Sequence, residues 1–255
     1  MVNQEKLAPY LEGLELGAWR YFHEVGSSND HALAWASSGA SDWSLVVADS
    51  QTAGRGRKGR RWVTTAGEAL AMSLVLRPSE QEIAHFSRFT ALAALGLIQA
   101  LGKMGLQGEI KWPNDILLGK EKVAGVLVEA DWQGNEMNGL VVGMGVNITQ
   151  ASVPERAQLR YPATSIEAVL GKKINRWRLL VDILSAMMTV RSYLSEDAFV
   201  REWNEKLAFR GDCVVFRLPG ENPEPMRLVG VTQGGQLSLE LTDGQRIEAV
   251  SGEIL

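Results

Sequence analysis

The chain is poor in cysteine and histidine, and its apolar residues form no long unbroken run. A single cysteine, Cys213, excludes an intramolecular disulfide framework and a thiol-rich metal site. Three scattered histidines, His23, His31 and His85, form no recognisable ligand spacing. No stretch reaches the roughly 18 apolar residues of a membrane span, and no basic segment followed by an apolar run opens the chain as a signal peptide would. A basic overall balance is also missing. Lys and Arg total 26 against 30 Asp and Glu, a net charge of -4, whereas nucleic-acid-binding domains are usually basic because phosphate neutralisation supplies much of their affinity. These absences make a cytoplasmic enzyme the default expectation.

The 255 residues, 45% of them hydrophobic, are enough for one large domain or one large and one small. Leu7, Tyr10, Leu11 and Leu14 sit near helical spacing in the first 18 residues. "WRYFHEV" reads as a strand, and Ser27, Ser28 or Asn29 can cap a helix through "DHALAWASS". "SLVVADS" and "ALAMSLVLR" read as strands, whereas the apolar stretch from Phe86 to Met104 is too long for a strand and suits a buried helix. Pro113 splits "EIKWPNDILL" into strand, turn and strand. "KVAGVLVEADW" and "NGLVVGMGVNI" are β-rich, with Gly125, Gly143 and Gly145 inside them. Glycine within a strand often marks a close approach to the backbone, and three on neighbouring strands point to a flat ligand lying across a sheet. Helical patterns run from Arg176 to about Leu194 and through "FVREWNEKL". After Phe209 come short β runs broken by Gly, Pro, Asn and Asp. The expected fold is α+β: a mixed β-sheet catalytic domain flanked by helices over residues 1–208, then a small SH3-like β-barrel over 209–255.

One stretch concentrates charge. "QTAGRGRKGRRW" holds Arg55, Arg57, Lys58, Arg60 and Arg61 among Gly54, Gly56 and Gly59. Alternating glycines let such a loop turn its N–H groups toward an anion, but the Gly-Lys-Ser/Thr ending of a P-loop is absent. A flexible basic loop without a ligand is the bland reading. Only Ala53 is apolar between Gln51 and Trp62, so the loop is expected to order when an anion supplies counter-charge. "KWPNDILL" places Lys111, Asn114 and Asp115 around a proline turn; alone it is plain turn chemistry, although Asp115 is also a candidate Mg²⁺ ligand. Lys122 opens "KVAGVLVE", where a lysine is ordinarily solvated.

In the order "SSN", "QTAGRGRKGRRW", "KWPNDILL", "KVAGVLVE" and "GMGVNI", the sequence resembles the bacterial biotin protein ligases, the biotin–[acetyl-CoA-carboxylase] ligases, from about Trp19 to the C-terminus. "FRGD" and "VSGEI" resemble that family's small C-terminal barrel. The resemblance implies ATP-dependent activation of biotin to biotinyl-5′-AMP, with Mg²⁺, and transfer to a lysine of a biotin carboxyl carrier domain, as in acetyl-CoA carboxylase. It places Ser27, Ser28, Gln51, Gly54, Arg55, Lys122, Gly125 and Gly143 on biotin, and Arg57 near it. It places Arg57, Arg60, Trp62, Asn114 and Asn147 on or near the nucleotide, with Trp62 by the adenine. Arg55, Arg57, Lys122 and Asp115 are the implied catalytic set. Ser27-Ser28-Asn29 departs from the common Ser-Thr-Asn, losing a methyl but keeping the hydroxyl.

Only 18 residues precede Trp19, against the roughly 60 a winged helix-turn-helix needs, so the form without a DNA-binding module is expected. A homodimer is compatible with the family. A biotin-binding sensor without transfer activity is the alternative, disfavoured because Lys122, Asp115 and the arginines are all present. A nucleic-acid-binding module would need more aromatics near the loop than Trp62.

Overall fold

Alternation along the strands decides the layers of this protein. The structure, a computed structural model, describes residues 4–134 and 136–255; residues 1–3 of the expected N-terminal helix lie outside them. Helix α1 (Gln4–Leu11) precedes β1 (Trp19–Val25), α2 (Ser28–Ser37), β2 (Ser44–Gln51) and, beyond the basic loop, β3 (Ala69–Leu76). Helices α3 (Glu80–Ile83) and α4 (Arg88–Gly102) lead to β4 (Gly108–Lys111), β5 (Asp115–Leu118), β6 (Glu121–Gln133) and β7 (Glu136–Asn147). Then come α5 (Ile166–Leu170), α6 (Arg176–Arg191) and α7 (Asp197–Glu205). The last strands are β8 (Cys213–Arg217), β9 (Glu224–Val231), β10 (Leu237–Glu240), β11 (Arg246–Ala249) and β12 (Glu253–Ile254).

The first seven strands form one mixed sheet in the order β1-β2-β3-β7-β6-β5-β4, parallel only between β1 and β2. Side chains alternate between its faces. Leu45, Val47, Met72, Leu74, Val142, Met144 and Val146 join the main core, to which α4 and α6 contribute Leu92, Leu95, Ile183 and Met187. Val46, Val75 and Val141 face the other way and pack with Ala32 and Ala36 of α2. Toward the N-terminus of α2 that second face changes character, because Ser73, Gly143 and Gly145 follow at the same alternation. The valines are covered by helix, and the small residues are left for a site.

The second sheet is antiparallel, ordered β11-β10-β9-β8-β12. Of the small SH3-like β-barrel expected here, the structure shows a five-stranded antiparallel sheet. Strand β12 is two residues long and pairs with β8 alone, Glu253 with Arg217 and Ile254 with Phe216, so the sheet stays open between β11 and β12. The two sheets share one apolar cluster that includes Phe89, Trp112, Phe216 and Leu239. Polar stitches reinforce it: buried Arg88 donates from Nη1 to Leu194 O (2.7 Å) and from Nη2 to Gln233 O (3.1 Å), and Trp112 Nε1 donates to Gly235 O (3.2 Å). Among the described residues no helix is long and apolar enough to cross a membrane.

At the end of the sheet away from the glycines, Arg191 clamps α6 to the strand ends. Its Nε meets Glu82 Oε1 at 2.6 Å and its Nη1 meets both oxygens of Asp42 at 2.9 Å. Burial alone would push the Glu82 carboxyl up, but the hydrogen bonds from Arg191 and Ser79 hold it below its ordinary 4.5. A depressed carboxyl contributes stability that is present above the unfolded pKa and lost as pH falls through the folded one. Arg191→Met is therefore expected to cost about 3 kcal/mol at neutral pH, by leaving two carboxylates without their partner. Urea unfolding at several pH values should show that deficit shrinking below the ordinary carboxylate value of 4.5.

Candidate active site

Strand register brings the singled-out residues together. Asp115 on β5 pairs with Gly125 on β6, Gly125 with Gly145 on β7, and Gly145 with Ala71 on β3. One step along, Leu127, Gly143 and Ser73 form a second cross-strand row. Asp115, Gly125, Leu127, Gly143 and Gly145 of these rows floor a pocket of about 130 Å³, walled by Ser27, Ser28, Gln51, Arg57 and Lys122 among others. Of the residues named from sequence, Arg55, Arg60, Trp62 and Asn114 also line it, with Asp115, Gly125 and Gly143. Gly54 and Asn147 do not. Gly54 supports the loop by accepting from Trp62 N (2.9 Å), and buried Asn147 donates to Thr164 O (3.1 Å).

Two floor glycines are required by close approach. A Cβ at 143 would lie 2.0 Å from Asn29 Oδ1, and one at 145 would lie 2.2 Å from Cε2 of Trp62. The indole therefore rests directly on β7, and its buried Nε1 has no hydrogen-bond partner among the described residues. Such an orphan donor at a pocket wall is a candidate ligand contact.

The α2 end of the pocket is neutral and polar. Ser27 caps α2 by accepting from Asp30 N (3.3 Å), and Ser28 donates from both N (2.8 Å) and Oγ (3.0 Å) to Gln51 Oε1. Ser73 Oγ lies 2.8 Å from Ser28 Oγ and 2.6 Å from Asn29 Oδ1. Two hydroxyl protons thus serve three oxygen–oxygen contacts, since each hydroxyl carries one donor, and the Ser28 proton can be redirected toward an incoming acceptor.

The opposite end is charged. Lys122 Nζ meets Asp115 Oδ1 at 2.6 Å and stands 5.6 Å from the centre of the Trp62 ring. Arg57 has only Asn114 Oδ1, at 3.4 Å, and no carboxylate within ion-pair distance among the described residues. Burial pulls its pKa down, and the nearby charge of Asp115 offsets this only in part. Lys111 borders an adjoining cleft of about 890 Å³ that also contains Arg60, Arg61, Arg160 and Arg217. Its Nζ lies 3.3 Å from the centre of the Tyr161 ring, and burial pushes its ammonium down to about 8.

The basic loop has a defined hydrogen-bonded conformation. Trp62 N donates to Gly54 O, Gly56 N donates to Arg60 O (2.7 Å), and a 3-10 turn spans Arg57–Gly59, with Lys58 at φ 55° and Gly59 at φ 70°. The protein's own carboxylates supply the missing counter-charge. Arg55 is held by Glu129 and Asp30, and Arg60 Nη2 reaches Glu253 Oε1 on β12 at 2.5 Å. Hydrogen bonds to Glu129 raise the Arg55 pKa above the usual arginine value. Sequence reasoning missed Ser73, Asp30, Glu129 and Glu253. The signal for Glu129 was available: it follows Gly125 and Leu127 at period two and so shares their face. Among the described residues there is no cluster of three or more His, Cys, Asp or Glu able to hold a metal.

Comparisons with known proteins agree with this geometry. The model of the biotin/lipoate A/B protein ligase family matches residues 23–147, which hold the floor strands and the basic loop. A biotin–[acetyl-CoA-carboxylase] ligase from Paracoccus denitrificans is 33% identical over 230 residues, covering 87% of this chain and 93% of that one. The bifunctional ligase/repressor BirA of Bacillus subtilis is 36% identical over 171 residues, and the match covers 66% of this chain but 52% of that protein, so the chain spans about half of that relative's length. The biotin protein ligase of Aquifex aeolicus, solved in complex with biotin and ATP, superposes with a TM-score of 0.78 at 28% identity, over 93% of this chain and 97% of that one. With these matches laid over the glycine-floored pocket, the chain belongs to the biotin/lipoate A/B protein ligase family.

Proposed function

We propose that the protein is a biotin protein ligase that activates biotin with ATP and transfers it to a lysine of a biotin carboxyl carrier domain. One observation carries the reading: a single pocket has a neutral hydrogen-bonding end (Ser27, Ser28, Gln51) and a cationic end (Arg57, Lys122) across a flat glycine floor. That is the complement of a fused ring bearing a ureido group and ending in a carboxylate. The names of the relatives and the biotin- and ATP-bound neighbour support it.

In the first step a biotin carboxylate oxygen attacks the α-phosphorus of ATP, and the bond to the β-phosphate oxygen breaks to release pyrophosphate. Two anions must meet, and Arg57 and Lys122 offset their repulsion in a site partly closed to water. Arg57 presents a planar fork suited to phosphate and carboxylate oxygens. Mg²⁺ enters with ATP, because a single carboxylate, Asp115, suits an ion carried mainly by phosphates and not a resident metal; bound there, it would neutralise phosphate charge. In the second step a lysine amine attacks the acyl carbon of the mixed anhydride, the bond to the phosphate oxygen breaks, and AMP leaves. Asp115 is a poor base toward a free ammonium, because a carboxylate holds a proton far less tightly than a lysine amine does. It orients the amine and accepts a proton as the tetrahedral intermediate forms. A sensor without transfer activity would have no use for the Lys122–Asp115 pair.

Lys122→Met is expected to slow biotin-dependent pyrophosphate exchange about 100-fold while ATP binding is largely kept; near-normal exchange in a folded variant would remove Lys122 from the chemistry. Asp115→Asn should still form biotinyl-5′-AMP but transfer it poorly. Normal transfer from premade adenylate would reject the orienting role and leave the metal role, for which added Mg²⁺ should restore the first step in part.

Lys111 yields a pH prediction. Its ammonium is pushed down to about 8 by burial, and an arriving phosphate favours the charged form. Just above that pH, binding of Mg-ATP should take up a proton, and well below it the uptake should vanish. Calorimetry in two buffers of different ionisation enthalpy measures this, and Lys111→Met should abolish it.

A further inference from the structure

The five cations of the basic loop are not equivalent, and the difference assigns a role to a residue outside the loop. Both terminal nitrogens of Arg55 donate to Glu129, Nη1 to Oε1 and Nη2 to Oε2, each at 2.7 Å. Nη2 also lies 2.5 Å from Asp30 Oδ1. One guanidinium therefore faces two carboxylates, and the local charge is negative. A biotin carboxylate or a phosphate placed there would be repelled, although the family resemblance assigns Arg55 to biotin. Arg57, two residues on, has no carboxylate within ion-pair distance among the described residues and remains available for an anion.

Glu129 is itself oriented. Asn29 Nδ2 donates to its Oε2 (2.8 Å) and to Leu127 O (3.2 Å), while Asn29 Oδ1 accepts from Ser73 Oγ and presses on Gly143. Asn29 is buried and cannot easily turn. With Ser28 N donating to Gln51 and the Ser28 hydroxyl donating to Ser73, a continuous hydrogen-bonded chain runs from Gln51 through Ser28, Ser73, Asn29 and Glu129 to Arg55. Its first members are the polar end of the pocket, and its last is the entrance strand of the loop hairpin.

We propose that Glu129, backed by Asp30 and oriented by Asn29, is a positioning residue that latches Arg55 and so holds the loop hairpin down over the pocket. Arg55 is then the latch bolt, and Arg57 with Lys122 meets the anion. A bidentate Arg–carboxylate pair suits this role because it fixes orientation as well as distance. Because the chain begins at the ureido-binding groups, a ligand there stiffens Asn29 and Glu129 and tightens the latch. What the latched loop retains, biotinyl-5′-AMP, rests on the function proposed above; the latch itself does not.

Glu129→Gln keeps the size of the side chain and an acceptor for Asn29 but removes the charge. Trypsin digestion of the ligand-free chain, with mass spectrometry of cuts after Arg57, Lys58, Arg60 and Arg61, should run about tenfold faster in this variant than in wild type, the loss of one charge-assisted pair. The charge swap Arg55→Glu with Glu129→Arg should slow it again. Release of biotinyl-5′-AMP, followed by stopped-flow tryptophan fluorescence, should be faster in Glu129→Gln and recover in the swap. Wild-type cutting rates in a Glu129→Gln variant with an unchanged melting curve would overturn the latch. If Glu129→Gln does not fold, Arg55→Lys carries the same digestion test, since it keeps the charge and loses the fork. If the wild-type chain does not hold biotinyl-5′-AMP, the proposed function falls, and the digestion still decides the latch.

Discussion

The site depends on how closely two side chains approach one strand. Asn29 and Trp62 lie against β7 at Gly143 and Gly145, at distances where a Cβ would collide with either. No other residue type leaves room for those two side chains, and the energetic reason is steric, since overpacking of a fitted contact forces side chains and backbone to shift. From this floor the rest follows. Asn29 is fixed where it can orient Glu129, and Trp62 anchors the far end of the basic hairpin. The helix that covers the neighbouring valines stops where the glycines begin.

Charge is distributed around that floor with a consistent logic. A loop with five cations and three glycines has strong self-repulsion and a large ordering entropy. Carboxylates from three separate elements offset it: Asp30 on α2, Glu129 on β6 and Glu253 on β12. They take the cations at the two flanks of the hairpin and leave Arg57 toward the pocket. Lys122 is balanced by Asp115, and Lys111, with the face of Tyr161 as its close contact, has its ammonium destabilised. Arg55, Arg60 and Lys122 are thus paired, whereas Arg57 and Lys111 have no carboxylate within ion-pair distance among the described residues.

The C-terminal sheet participates in the same arrangement. Glu253 reaches the loop through Arg60, and the β9–β10 turn accepts from Trp112, inside the turn that carries Lys111 and Asp115. The smaller sheet therefore braces both the loop and the β4–β5 turn. Its open edge between β11 and β12 leaves Glu253 on a two-residue strand beside the cleft.

Much of this was legible in the sequence because it rests on local rules. Short apolar runs and β-branched residues located β2, β3, β6 and β7, the long apolar stretch located α4, the cap of α2 was narrowed to Ser27, Ser28 or Asn29, and Pro113 announced the turn between β4 and β5. The strand glycines pointed to a close approach across a sheet. Strand order could not be read this way, since pairing β3 with β7 joins segments some 70 residues apart and local pattern carries no such information. Nor could the division of labour among the arginines, which are alike in sequence. Residue type and spacing determined that this chain would hold a glycine-floored pocket with a cationic loop beside it. Only the tertiary structure decided which cations meet carboxylates, because Asp30, Glu129 and Glu253 become neighbours of that loop through folding alone.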